Sequence, residues 1–150
     1  MQCKPCRKSR CPICDNLSDK DNIIKSVIVS ATGEKLDIKG KLTCSSTNVV
    51  YCITCKRGGR TCPEFPQYIG ETKNTLKERM CGHRGTIIQP GQQNTSAPVG
   101  CHFRSNGHSL SDLEIVPIEK VIGDDMTRKV RQSFYIKKFM SVTNGLNVRS

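Results

Sequence analysis

At 150 residues the chain is long enough for one compact domain with a small appendage and too short for two full domains. Its 24 Lys and Arg against 13 Asp and Glu leave a formal net charge of +11, an excess that points to a polyanion such as nucleic acid or an anionic membrane surface, the plainer alternative being a solvated basic face. The chain has ten cysteines, and its N-terminus, MQCKPCRKSRCPIC, has charge but no apolar h-region; no window approaches the ~20 apolar residues of a membrane span, so the expectation is a reduced, intracellular protein whose clustered cysteines bind metal, rather than a disulfide scaffold.

Residues 1–22 are rich in Cys, Lys and Asp and lack apolar periodicity, so a metal has to hold them if they fold at all. NIIKSVIVS and KLDIKGKL flank the turn Ala31-Thr32-Gly33-Glu34 and read as a β-hairpin. Together these make a Cys-rich N-terminal element over 1–45, followed by a second unit over 46–150. TNVVYCIT (Thr47–Thr54) and Gln67–Thr72 read as strands, joined through the turn-rich CKRGGRTCPEFP.

From Asn74 the pattern turns helical. Asn74 or Thr75 can cap, Glu78 stands three residues past Thr75 as in a capping box, and Leu76, Met80 and Ile87 fall on one stripe. Gln89–Gly100 reads as a polar loop. LEIVPIEKV (Leu113–Val121) is a third strand in which Pro117 calls for an edge position or a bulge. A helix follows over about Met126–Met140, capped by Asp124 or Asp125, with Met126, Val130 and Phe134 on one face. The tail TNGLNVRS ends in a turn.

In this order, TNVVYCIT, QYIGET, TLKERMCGHR and the closing GLN resemble the GIY-YIG nucleases, over about Val49 to Asn147. The branch most similar in pattern is the endonuclease domain of Penelope-like retroelements: Arg79 stands eleven residues after Tyr68, cysteines lie between the two tyrosine motifs, and paired histidines follow the first helix. The resemblance implies an α+β fold, a three-stranded antiparallel sheet flanked by helices, here preceded by the zinc-stabilised hairpin element. It implies hydrolysis of DNA phosphodiesters with one divalent metal, Mg²⁺ or Mn²⁺. Tyr51, from VVY in the GIY position, would act on the attacking water as general base. Tyr68 would hold the water or phosphate, Arg79 would neutralise charge on the phosphate, and His83, one turn on, would share proton transfer or hold a tyrosine hydroxyl. Asn147 belongs to the closing motif.

One position departs from the family. A metal-binding glutamate is expected on the late helix, and the matching text, RQSFYI, has Gln132 there. An amide keeps a carbonyl oxygen but loses the charge that hard cations prefer. Glu71 beside the YIG triplet, or Glu119 on the late strand, are the fallback carboxylates, although alternation with Gly70 and Thr72 leaves the direction of Glu71 open.

The resemblance also implies a zinc site of two cysteines and two histidines: Cys55, Cys62, His102 and His108. Cys52 competes with Cys55, but if Tyr51 faces the site, strand alternation turns Cys52 away and favours Cys55. For a second zinc, the run CKPCRKSRCPIC offers four consecutive cysteines, while the upstream region of the retroelement family suggests Cys6, Cys11, Cys14 and the distant Cys44. A disordered basic tail with incidental thiols is the alternative.

The leading expectation is thus a nuclear DNA endonuclease domain detached from a larger, reverse-transcriptase-containing protein, since no such segment fits in this length. The second is a nuclease-derived DNA-binding module that has lost its metal. The third, a zinc-stabilised interaction domain such as a RING, lacks the Cys-x-His step in the N-terminal run. Oligomeric state is open, and no membrane association is expected.

Overall fold

The computed structural model describes residues 2–6, 11, 14–17, 23–56, 66–88, 98–103, 108–142 and 145–147. Its centre is β5 (Val49–Cys55), between β6 (Gln67–Thr72) and β7 (Leu113–Lys120) in an antiparallel sheet of order β6-β5-β7. The β-branched and aromatic run VVYCITC makes a strand covered on both faces, since all of its residues but Thr54 are buried.

The β5–β7 register runs from Cys55↔Leu113 to Tyr51↔Pro117, then shifts between Val50 and Tyr51 so that Val50 meets Glu119. Pro117 therefore sits beside a bulge on an outer strand, where its missing N–H costs no central ladder bond. The N-terminal residues cover that outer edge. Lys39 N–H donates to Ile118 O at 2.7 Å, Lys120 N–H donates to Lys39 O at 2.8 Å, and Asn16 Nδ2 donates to Leu113 O at 3.0 Å.

Within residues 1–45, β1 (Gln2–Lys4) runs parallel to β4 (Lys41–Thr43), and β2 (Ser26–Ile28) pairs antiparallel with β3 (Lys35–Asp37) as the hairpin. Its turn closes by Gly33 N–H donating to Val29 O at 2.7 Å, with Gly33 at φ +76°, which glycine adopts without cost. The apolar core is continuous, running from Cys3, Val29 and Leu42 to Ile53, Leu113 and Phe139.

Helix α1 (Leu76–Ile88) opens with the capping box: Glu78 N–H donates to Thr75 Oγ1 at 3.2 Å, and Thr75 N–H donates to Glu78 Oε1 at 3.4 Å. Leu76 and Met80 are buried; the Ile87 side chain lies outside the described residues. The polar loop expected over Gln89–Gly100 is corrected at its end, where Pro98 opens a short helix, α2 (Pro98–Phe103). Proline at the first helical position has φ already set and no N–H to leave unpaired.

Helix α3 (Asp125–Phe139) is capped by Asp124, whose Oδ1 accepts from Thr127 N at 2.9 Å, and ends at Met140 in the left-handed region. Its apolar stripe needs correction. Met126, Val130 and Phe134 do share a face, but it is exposed, at 68%, 58% and 45%. The face turned to the sheet carries Arg128, Tyr135, Ile136 and Phe139. Charge could be buried there because it is paired: Arg128 bonds Glu71, Asp125 and Asn48, and Arg131 grips both oxygens of Glu119 at 2.9 Å. No helix among the described residues is long and apolar enough to cross a membrane.

Candidate functional site

Strand alternation puts Tyr51, Tyr68 and Gly70 on one side of the sheet, and α1 brings His83 down onto them. Tyr51 Oη lies 2.7 Å from His83 Nε2. The Tyr68 ring stands 6.5 Å from Tyr51 and 5.7 Å from His83, edge-on to the imidazole. The three rings form a triangle under α1, with Tyr51 and His83 buried and Tyr68 half-buried. Gly70 is what lets the triangle close, because a Cβ there would collide with the Tyr51 ring and hydroxyl.

Both buried groups are held neutral. Burial pushes the Tyr51 hydroxyl well above the usual phenol range, against a smaller opposing pull from Arg79. Burial, with the Arg79 charge, lowers His83 to about 3. At neutral pH the pair is therefore a phenol and an imidazole; with the ring proton on Nδ1, the Tyr51 hydroxyl donates to Nε2. Half-buried Arg79, one turn before His83, acts on both groups and carries the cationic charge of this site.

Gln132 and Asn147 meet at a neighbouring point. Asn147 receives Ile69 N–H on Oδ1 at 2.7 Å and donates Nδ2 to Ile69 O at 3.0 Å, while Gln132 Nε2 donates to the same carbonyl at 3.2 Å. Leu146 N–H donates to Gln67 O at 2.8 Å. The closing GLN thus holds β6 from its side, by one backbone bond to Gln67 and the Asn147 side chain, and fixes the backbone between Tyr68 and Gly70.

The fallback carboxylates are engaged elsewhere. Glu71 points to α3, where it pairs with buried Arg128 and with Lys129. Glu119 accepts from Arg131 and from Tyr135 Oη at 2.7 Å; burial alone would raise its carboxyl, but these donors hold it below the usual range. With Gln132 neutral and both carboxylates neutralised, the described residues do not fit a hard divalent cation, which wants anionic oxygen. Arginines on a surface helix read as solvated in the sequence, and nothing local to α3 marks Arg128 and Arg131, because their partners lie 57 and 12 positions away.

Two sets of softer donors do converge. Cys6, Cys11, Cys14 and Cys44 bring their sulfurs within 4.8 Å of one another, with Cys14 3.5 Å from Cys44 and 3.6 Å from Cys6. Thiolates around one tetrahedral zinc with ~2.3 Å bonds stand about 3.8 Å apart, so the set fits. This grouping takes the distant Cys44 rather than Cys3, which is buried outside the cluster. Cys55, His102 and His108 form the second group within the same limit. Cys52 faces away and contacts Thr54 instead; Cys62 lies outside the described residues.

No protein-family model matches the sequence, and no curated protein does. Among solved structures, the catalytic domain of homing endonuclease I-TevI is similar, with TM-score 0.50 and 19% identity, over 69% of this chain and 100% of that domain. The fold is therefore α+β of the GIY-YIG nuclease type, preceded by a hairpin element with a cysteine cluster that can hold a metal.

Proposed function

We propose that the chain is a DNA endonuclease domain of a Penelope-like retroelement protein, acting in the nucleus, which binds DNA through its basic surface and hydrolyses phosphodiesters weakly. The observation that supports it most is the buried Tyr51–His83 hydrogen bond under Arg79, on a sheet of this fold. Residues 1–45 serve it as a zinc-stabilised element and 46–150 as the nuclease unit. The parent would be a reverse-transcriptase-containing protein.

In this reading a phosphate docks on Arg79, whose planar fork offers two parallel donors to its oxygens and neutralises the charge that grows there. Tyr68 Oη orients the water. Tyr51 Oη accepts a proton from that water as its own proton passes to His83 Nε2, so the attacking oxygen gains nucleophilicity without a free phenolate. The water oxygen bonds to phosphorus as the P–O bond to the leaving oxygen breaks; the leaving oxygen takes a proton from solvent, and His83 releases its proton to solvent. Burial makes His83 a weak acceptor, and no anionic ligand stands by, so the step is slow. Asn147 and Gln132 hold Ile69, and with it the spacing of Tyr68 from Gly70. Zinc at Cys6, Cys11, Cys14 and Cys44, and at Cys55, Cys62, His102 and His108, would cross-link segments that have little core of their own.

The neutral Gln132 favours a second reading, a nuclease-derived DNA-binding module without turnover. Nicking of supercoiled DNA with Mg²⁺ or Mn²⁺ separates the two: slow conversion to open circles supports hydrolysis, and DNA binding with no conversion supports the module. Absence of DNA binding overturns both.

A further inference from the structure

The first turn of α1 has three N–H groups that its own helix cannot satisfy, and two of them are taken by the residues that follow β4. Leu76 N–H donates to Ser46 O, and Lys77 N–H donates to Cys44 O, each at 3.0 Å. The third, Glu78 N–H, goes to Thr75 Oγ1. The 44–46 turn is itself tightly closed: Thr43 N–H donates to Ser46 Oγ at 2.9 Å and Ser45 N–H to Thr43 Oγ1 at 3.1 Å. Cys44 is fully buried, with its sulfur 3.5 Å from that of Cys14. One residue therefore presents its side chain to the cysteine cluster and its carbonyl to the helix that carries Arg79 and His83.

We infer that Cys44 is a positioning residue: metal held by Cys6, Cys11, Cys14 and Cys44 fixes the Cys44 and Ser46 carbonyls, and through them the seat of α1 and the Tyr51–His83 hydrogen bond. The inference rests on the tyrosine site proposed above for its consequence, but not for its geometry. Without metal, buried Cys44 loses the tether that a shared ion gives it to Cys6, Cys11 and Cys14. The first turn of α1 then frays, and a shift of about 1 Å in Arg79 or His83 suffices to lose on the order of 10²-fold in reaction rate. The coupling is local: the carbonyl of Cys44, itself in the cluster, and that of Ser46 two residues on accept from the adjacent amides of Lys77 and Leu76.

The test compares the full-length zinc-loaded chain, the same chain stripped by a chelator, and the variants Cys44→Ser, Cys44→His, Cys11→Ser and Cys55→Ser. Amide hydrogen exchange is followed at Leu76, Lys77 and Glu78, and the ¹⁵N resonance of His83 Nε2 reports its hydrogen bond. Stripping, Cys44→Ser and Cys11→Ser should each speed exchange at Leu76 and Lys77 by about tenfold or more and move the His83 resonance, with β5 and β7 amides still protected. Cys44→His, which keeps a zinc ligand, should restore both signals, and Cys55→Ser should leave the first turn of α1 as it was. Unchanged exchange at Leu76 and Lys77 after zinc loss overturns the inference. So does equal loss of protection in β5 and β7, which would make the cluster a general stabiliser. Neither readout needs DNA cleavage, so an inactive enzyme leaves the test intact and counts only against the nuclease reading.

Discussion

The outer end of the Tyr51 ring occupies the space that a side chain at residue 70 would need, so Gly70 and Tyr51 are fitted to one another across the β5–β6 ladder. The hydrogen bond from Tyr51 to His83 depends on that fit.

Gly70→Ala should therefore act directly on the neighbouring strand. The new methyl has to displace either the β6 backbone or the buried tyrosine, and overpacking of this kind costs about 1–3 kcal/mol. Urea denaturation should show that loss together with a moved His83 resonance. A stability within about 0.5 kcal/mol of wild type would mean that Tyr51 swings aside freely and is not locked in place.

Asn147→Ala should destabilise the chain through the backbone of Ile69. The substitution removes the acceptor of a buried N–H and one donor to its carbonyl, and a buried group left unpaired costs about 1–3 kcal/mol. Asn147→Asp keeps an acceptor but turns a carboxylate oxygen toward the Ile69 carbonyl, so it should not recover wild-type stability. Thermal melts check both, and an unaffected Asn147→Ala would remove Asn147 from the account of β6.

What could be read from the sequence were the features with local chemical causes. Thr75 and Glu78 specify a capping box within four residues, Gly33 marks its turn, and the β-branched run from Val49 marks a covered strand. Tyr51, Tyr68, Arg79 and His83 were legible as an ordered set, and the fold places them together. What was not legible depends on contacts distant in the chain. The polarity of α3 reads backwards because Arg128 is buried against Glu71, 57 positions earlier, while Met126 and Val130 remain outside. A hydropathy pattern has no way to register that a charge has found its partner. The carbonyl of Cys44 capping Lys77 is invisible for the same reason, since any residue has a carbonyl.

Acid should destabilise the fold through His83. Its folded value, about 3, lies below the ordinary 6.5, so between those two pH values the unfolded chain binds a proton that the folded chain refuses. Stability accordingly falls as pH drops through that window, by up to about 1.4 kcal/mol per pH unit from this one group. Above pH 6.5 the effect is absent. Denaturation of wild type and His83→Gln at a series of pH values isolates it: the variant should show a shallower loss between pH 6 and pH 4, taken at about half-unit steps, and parallel curves would show that His83 does not stay neutral in the fold.

DNA binding should weaken steeply with salt and show little sequence preference. The formal charge of +11 supplies phosphate contacts, and log affinity falls by ~0.9 per phosphate neutralised as log salt rises. Arg79→Ala removes one such contact from the ground state but a larger share of the charge stabilisation in the transition state, so it should reduce nicking far more than binding. Fluorescence anisotropy at several salt concentrations tests the first part, and a salt-independent affinity would contradict it.

Gln132→Glu should raise nicking, because it places an anionic oxygen where the described residues have none free. Glu71 and Glu119 are held by Arg128 and Arg131, so neither of these two carboxylates is free for a divalent cation in wild type. The amide of Gln132 now donates to Ile69 O; a carboxylate would be repelled by that carbonyl and turn away from it. Single electrostatic contributions to a transition state are often ~10²-fold, and the gain should be larger with Mg²⁺ than with Mn²⁺, which accepts poorer oxygen ligation. Tyr51→Phe or Arg79→Ala in the Gln132→Glu background should abolish the gain, because the cation does not replace the proton acceptor or the phosphate clamp. If wild type nicks supercoiled DNA efficiently and Gln132→Glu changes nothing, Gln132 is not the ligand position. Glu71 or Glu119 would then have to leave its arginine on binding DNA, and Arg128→Gln or Arg131→Gln would be expected to accelerate the reaction instead.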